Sequence, residues 1–129
     1  MDEHFRTSQP HIWAAGDVTA GMQFTHVGLT EEQVREQGLD YGVSRFSPPD
    51  IDRSIIAGNR DGLVKLIATP GGDEILGAHI IASSGGDLIN ELALAMHQRL
   101  SVRQIAETIH AYPTLPESVR WASTSFVGE

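Results

Sequence analysis

The chain has 129 residues, 40% of them hydrophobic, and its 17 Asp and Glu against 9 Lys and Arg give a formal net charge of −8 at pH 7. This length and composition fit one globular domain, while the negative charge opposes binding to nucleic acid and no apolar run approaches the ~20 residues that a membrane-spanning helix needs. Because cysteine is absent, the chain supplies no disulfide, thiolate metal site or redox dithiol of its own, and we expect a cytoplasmic protein.

The first predicted strand covers residues 11–15, a short apolar run that stops at Gly16 and Asp17. An Asp at the carboxyl end of a strand lies where open α/β sheets bind ligands. An Asp that follows Gly is also a common turn former. Both interpretations of Asp17 stay open on this pattern alone.

A helix is predicted next, because Thr30 and Gln33 stand at the spacing of a capping box and Gly38 can end the helix. Few of its residues are apolar, so it should lie on the surface. Residues 41–47 alternate loosely, as in a strand, and Pro48-Pro49 then forces a loop.

The centre of the chain predicts a β-hairpin. Residues 63–68 and 75–81 are rich in strand-forming residues, and residues 70–73, Pro-Gly-Gly-Asp, supply the turn.

The last third predicts three helices, and the longest starts after Gly85-Gly86. One apolar stripe on it must be buried: Leu88, Ile89, Leu92, Ala95, Met96 and Leu100. A second helix follows a capping box at Ser101 and Gln104 and shows these apolar residues at helical spacing: Val102, Ile105, Ala106 and Ile109. The third opens near Pro116, with one face made of Leu115, Val119, Ala122 and Phe126. Together with the hairpin, this order indicates an α+β fold with an antiparallel sheet and helices packed on one side.

The six histidines do not indicate a metal site, since none of them pair at the i, i+4 spacing that brings two imidazoles together on a helix. His79 lies in a predicted strand, where we expect a half-buried ring whose nitrogens are hydrogen-bonded.

Residues 110–117 hold three groups that can move protons or bind polar atoms: His110, Tyr112 and Glu117. The alternative is structural, because Glu117 fits a capping box with Thr114 and Tyr112 fits an ordinary packed aromatic. Arg120, three residues after Glu117, is positioned to pair with it.

Together these segments resemble the FAD-dependent pyridine nucleotide-disulfide oxidoreductases, a family that includes dihydrolipoamide dehydrogenase, glutathione reductase and mercuric reductase. Residues 7–19 resemble the family's last FAD-binding motif. Residues 27–126 resemble its C-terminal interface domain through four segments: 27–31, 62–66, 75–79 and 110–117.

The resemblance implies roles for particular residues. Asp17, with Gly16 beside it, would contact the ribityl chain of FAD. Tyr112 and Glu117 stand where the dehydrogenases have the histidine and glutamate that serve the partner subunit's dithiol, and His110 lies two residues before that place. Tyrosine at position 112 is similar to mercuric reductase, and there it would act as a hydrogen-bond donor or ligand.

Several parts of the family pattern are missing: the dithiol, the dinucleotide fingerprint and the NAD(P)H-binding domain. Residues 23–27 resemble the segment after the FAD motif, yet residues 27–30 already belong to the interface domain, which indicates an internal deletion of several dozen residues. We predict a remnant of the FAD-binding domain at 1–26 and an interface domain at 27–129. Loss of the first interface strand would leave a neighbouring strand with an open edge.

The sequence therefore predicts the dimerisation domain, or a fragment, of a mercuric-reductase-like or dihydrolipoamide-dehydrogenase-like flavoprotein, without redox catalysis of its own. We expect a homodimer built on the stripe from Leu88 to Leu100, with FAD not retained by this chain and with FAD and NAD(P)H used in the parent family. The alternative is a free-standing α+β interaction module that binds an oxidoreductase subunit in trans. A small enzyme using Tyr112, His110 and Glu117 alone is the least favoured hypothesis.

Overall fold

The computed structural model describes residues 23–47 and 62–128. They form a four-stranded antiparallel sheet in the order β1-β4-β3-β2. Its strands are β1 (Gln23–Gly28), β2 (Gly42–Phe46), β3 (Leu63–Ala68) and β4 (Ile75–Ala82). The helices are α1 (Glu31–Glu36), α2 (Gly85–His97), α3 (Val102–Glu107) and α4 (Glu117–Val127). The predicted α+β fold is confirmed, whereas the predicted strand at 11–15 and the loop at 48–49 lie outside the described residues.

The β3–β4 hairpin forms as its turn residues predict. The Thr69 amide donates to the Glu74 carbonyl at 2.9 Å, and the Gly72 amide donates to the Thr69 carbonyl at 2.8 Å. Gly71 and Gly72 have φ angles of 85° and 77°, in the left-handed region that favours glycine. This turn sets the register that places β3 and β4 at the centre of the sheet.

The main core lies between one face of the sheet and helices α2, α3 and α4. Its fully buried side chains include Val64, Leu66, Ile80, Leu92, Val102 and Val119. The predicted apolar stripe of α2 belongs to this core, because Leu88, Leu92 and Ala95 are buried within a single chain. The hypothesis that the stripe forms the subunit interface is therefore corrected for these three residues, which the chain's own sheet covers, whereas Ile89, Met96 and Leu100 of the same stripe are only partly buried.

The short helix α1 covers part of the opposite face of the sheet. Val34 is fully buried against Ile67 and Leu76, and such burial contributes about 1.5–3 kcal/mol. Both hydrogen bonds of the predicted capping box between Thr30 and Gln33 are present. The C-terminal helices thus share one side of the sheet, as predicted, and α1 is the one helix within residues 23–47 and 62–128 that lies on the other side.

The strand β1 bears on the expectation that a sheet strand has an open, unpaired edge. All six of its residues pair with β4, from Gln23 opposite Ala82 to Gly28 opposite Gly77. The expectation that the inferred deletion leaves an open edge is therefore wrong for β4, because β1 (Gln23–Gly28) pairs with that edge. The strand crosses the predicted boundary between residues 26 and 27, and that boundary stays a prediction.

The predicted face of α3 is correct for Val102 and Ile105, which are buried, but not for Ile109. The helix ends at Glu107, and Thr108 adopts an extended conformation with φ −69° and ψ 131°. Helical spacing no longer applies after this residue. Ile109 consequently points to solvent and is 94% exposed.

Candidate functional site

The residues singled out for chemistry lie at the loop formed by residues 108–116, between α3 and α4. Tyr112 stands on the outside of this loop with 71% of its surface exposed, and its peptide bond to Pro113 is cis. Glu117, the first residue of α4, points inward and is only 9% exposed. The fold therefore brings both residues to one loop but gives them opposite orientations.

Glu117 holds the backbone of the loop. Its Oε2 accepts a hydrogen bond from the Thr114 amide at 3.0 Å. The Thr114 hydroxyl donates instead to the Ala111 carbonyl at 2.5 Å, so only one half of the predicted capping box is formed. This carboxylate consequently stabilises the turn that precedes α4.

Arg120 does not make its predicted contact. Its Nε donates to the Ala106 carbonyl at 3.3 Å, and its guanidinium lies 5.6 Å from the centroid of the Trp121 ring. Among the described residues no ion pair joins Arg120 to Glu117, so the prediction is wrong. The arginine ties α4 to α3.

His110 is held by two oxygen atoms. Its Nδ1 lies 3.0 Å from the Thr108 carbonyl, and its Nε2 lies 2.5 Å from Oε1 of Glu91 on α2. The His110 side chain is only 7% exposed. The predicted histidine of the loop is thus a buried contact to α2, and Glu91 is a partner that sequence reasoning missed.

Three apolar or aromatic side chains of α2 and the adjoining loop are exposed, and we call Leu94, Ile109 and Tyr112 the outer face. Leu94 is 62% exposed and stands three residues after Glu91 on α2, which places both on one side of that helix. Because Glu91 contacts His110, this side of α2 lies next to the loop. The outer face therefore joins α2 and the loop.

A second cluster lies on the opposite side of the sheet, around Glu31 of α1. Its carboxylate pairs with Lys65, with Arg35 at 3.1 Å and with Arg45 at 3.5 Å, and it accepts a hydrogen bond from the Tyr41 hydroxyl at 3.2 Å. The hydrogen bond from Lys65 contributes most to lowering the pKa of Glu31 from 4.5 to about 2. Glu31 thus fastens α1 to β2 and β3.

Replacing Glu31 with Gln is expected to lower the free energy of unfolding at neutral pH by about 1 kcal/mol. Because the pKa of Glu31 is lower in the folded protein, its contribution is complete above pH 4.5 and is lost as the pH falls toward about 2. Urea unfolding across this range should show a weaker acid dependence in the variant. Glu32→Gln, at an exposed neighbouring position, is the control, and parallel curves for Glu31→Gln and wild type would contradict the prediction.

A row of basic side chains crosses the same side of the sheet. His26, His79, Lys65 and Arg45 are successive cross-strand neighbours on β1, β4, β3 and β2. The rings of His26 and His79 stack with centroids 5.8 Å apart. Nδ1 of His79 is buried without a hydrogen-bond partner, so the expectation of a fully hydrogen-bonded ring is wrong.

Acidification is expected to destabilise the protein through His79. Burial, followed by the charges of Lys65 and His26, lowers the pKa of His79 below 6.5. The unfolded chain therefore takes up the proton first, and stability is lost as the pH falls below about 6.5. His79→Leu should remove this loss and, by eliminating the unpartnered nitrogen, raise stability by about 1 kcal/mol. Thermal unfolding between about pH 5 and 8 tests this, with exposed His97→Gln as control; an unchanged pH dependence in His79→Leu would contradict it.

Asp17 and Gly16 lie outside the described residues, and the structure gives no geometry for them.

Within residues 23–47 and 62–128 no group of three or more His, Cys, Asp or Glu side chains is arranged to hold a metal ion. None of the described helices combines the length and apolar character that crossing a bilayer requires.

Comparison with known proteins finds dihydrolipoyl dehydrogenase and mercuric reductase among the relatives of this chain. The chain is 32% identical to pig mitochondrial dihydrolipoyl dehydrogenase over 160 residues, which covers 95% of the chain and 31% of that protein. It is 30% identical to mercuric reductase of Streptomyces lividans over 167 residues, covering the whole chain and 35% of that protein. The chain thus spans about a third of the length of these relatives. Both alignments are several dozen positions longer than the part of the chain they cover.

Solved structures show the same fold. The HOCl-induced flavoprotein disulfide reductase RclA from Escherichia coli, in its Cu(II) complex, superposes with a TM-score of 0.74 at 24% identity, covering 84% of this chain and 26% of that one. LpdA from Mycobacterium tuberculosis superposes with a TM-score of 0.73 at 22% identity, covering 79% and 22%. Residues 18–123 match the family described as the pyridine nucleotide-disulphide oxidoreductase dimerisation domain. With its antiparallel sheet and three C-terminal helices, the chain therefore belongs to the pyridine nucleotide-disulphide oxidoreductases, and the part that it contains is their dimerisation domain.

Proposed function

We propose that this chain forms a homodimer through its outer face. The observation that carries the proposal is the exposure of Leu94 and Ile109 on adjoining elements in a domain whose family is named for dimerisation. Leu88, Leu92 and Ala95 of the α2 stripe are buried inside the subunit and are not available to a partner. The contact surface must therefore come from side chains that a single chain leaves exposed.

A two-fold axis suits such a surface. In a closed dimer the same patch on both subunits meets itself, and two-fold dimers are the commonest protein oligomers. Removing exposed apolar area from water contributes about 25 cal/mol per Å², from which the entropic cost of association is subtracted. Leu94 and Ile109 would supply the apolar centre, and Tyr112 the amphipathic side chain that interfaces favour.

We further propose that, in an intact enzyme, the loop presents Tyr112 to the partner subunit's dithiol. The exposure of Tyr112 supports this role, and its hydroxyl is suited to donate a hydrogen bond or to act as a ligand. Glu117 faces inward and accepts from the Thr114 amide, so its part is to hold the loop in place. By itself this chain is proposed to carry no redox turnover.

The proposal for the cofactors also separates the intact enzyme from the isolated chain. Asp17 and Gly16 would contact FAD in the parent enzyme, in which NAD(P)H is the reductant, and we propose that the isolated chain does not retain FAD. A cytoplasmic location stays a prediction from composition.

Size-exclusion chromatography with light scattering, recorded together with flavin absorbance, tests the proposal. The expected result is a colourless species with twice the 14.0 kDa mass of the chain. A species with the mass of one chain would overturn the homodimer. A yellow species would overturn the proposal that FAD is lost.

A further inference from the structure

The loop at 108–116 is fastened to two different helices. On one side the Thr114 amide donates to Glu117 of α4 at 3.0 Å. On the other, His110 reaches α2 through its contact with Glu91 at 2.5 Å. Tyr112 lies in the sequence between His110 and Thr114, which make these two contacts. We therefore expect both contacts to affect its position on the surface.

The two contacts of His110 require a particular form of its ring. The Thr108 carbonyl and the Glu91 carboxylate can only accept hydrogen bonds. A neutral imidazole has one N–H group, so one of its nitrogens would turn a lone pair toward an oxygen lone pair. Both contacts are satisfied together only when both ring nitrogens carry hydrogen, and the ring is then a cation beside the Glu91 anion.

We propose that His110 and Glu91 form a proton-dependent pin that sets the position of Tyr112. In the doubly protonated state both hydrogen bonds hold the loop against α2. When the ring loses a proton, only one of these two hydrogen bonds can remain, so the ring keeps either Glu91 or the Thr108 carbonyl and the loop is held less firmly. His110 is accordingly a positioning residue, and the consequence for a partner subunit rests on the proposed function, whereas the pin itself does not.

The surroundings leave Glu91 as the charged partner of this ring. Besides Glu91, the charged or titratable residues on the adjoining helices are Asp87 and His97 on α2, Arg103 and Glu107 on α3, and Glu117 and Arg120 on α4. Asp87, His97 and Arg103 are exposed. Glu117 accepts from the Thr114 amide and Arg120 donates to the Ala106 carbonyl. Glu107 is exposed. Glu91→Gln therefore removes the charge that the pin needs while keeping the size of the side chain.

Nuclear magnetic resonance of the full chain tests the pin. The ¹⁵N shifts of the His110 ring report whether one or both nitrogens carry hydrogen, and the amide shifts of Ala111 and Tyr112 report the loop. As the pH is varied, the loop shifts are expected to change in step with the shifts of the His110 ring. Glu91→Gln should abolish this common change, whereas Glu107→Gln should retain it. The amide shifts of β3 and β4 show that each variant is folded.

The result that would overturn the pin is a His110 ring that titrates while Ala111 and Tyr112 stay unchanged, or a Glu91→Gln variant that behaves as wild type. The molar mass of the same samples, measured by light scattering, shows independently whether the chain is a monomer or a homodimer. A monomer with coupled shifts supports the pin and rejects the homodimer. A dimer without coupled shifts does the reverse.

Discussion

Leu94→Glu is expected to convert the homodimer into a monomer, with at least an approximately 100-fold increase in the dissociation constant, equivalent to about 2.8 kcal/mol. The side chain is 62% exposed in the single chain, so the substitution leaves the core intact. In a two-fold dimer it places a carboxylate at the apolar centre from both subunits, where unpaired charges are costly to bury. Sedimentation equilibrium over a concentration series measures the change.

The matched control for this experiment is Leu39→Glu. Leu39 is also a partly exposed leucine, but it follows α1, which lies on the other side of the sheet. The Leu39→Glu variant should have the same dissociation constant for the dimer as the wild type. Equal dimer formation by wild type and Leu94→Glu would contradict the assignment of the outer face, and circular dichroism shows whether both variants are folded.

Gly77→Ala is expected to destabilise the fold by about 3 kcal/mol, at the upper end of the cost of overpacking. Gly77 lies in β4 opposite Gly28, where the chain leaves β1 toward α1. A Cβ at this position would stand 2.0 Å from the Leu29 carbonyl oxygen. Because backbone atoms of Leu29 also bond to β4 through the Leu76 carbonyl at 2.8 Å, the crossing cannot open without losing that bond.

Urea unfolding measures this effect, and Gly128→Ala is the control. A Cβ at Gly128 meets its nearest atom at 3.4 Å, an ordinary contact, and its φ of −84° suits any residue. The control is expected to change stability by less than about 0.5 kcal/mol. An insoluble or unfolded Gly77→Ala protein agrees with the prediction; a protein as stable as wild type contradicts the tight crossing.

Local patterns predicted most of the elements because their causes lie within a few residues. Thr30 with Gln33 and Ser101 with Gln104 each form both hydrogen bonds of the predicted capping box. The Pro-Gly-Gly-Asp turn produces the hairpin at the centre of the sheet. The pattern correctly predicts burial of Leu88, Leu92 and Ala95 on α2. It does not predict that the sheet of the same chain covers them.

The candidate site depended on contacts between distant residues, which periodicity does not contain. His110 meets Glu91 across 19 positions, and Glu31 meets Lys65 across 34. No local signal marks either pair. The spacing of Ile109 fits a buried helical face, but the helix ends at its C-cap, Thr108, one residue before it. The outer face emerges only once these tertiary contacts are known.

The most direct test of the central claim is the distance between the two subunits at defined positions. Since the chain has no cysteine, Gln98→Cys and Glu32→Cys each give one spin label per subunit. Gln98 lies one helical turn beyond Leu94, and Glu32 lies on α1. Double electron–electron resonance is expected to give a defined distance between labels at position 98 that is shorter than the distance at position 32. The absence of intermolecular coupling at both positions, or a shorter distance at position 32, would contradict a homodimer formed through the outer face.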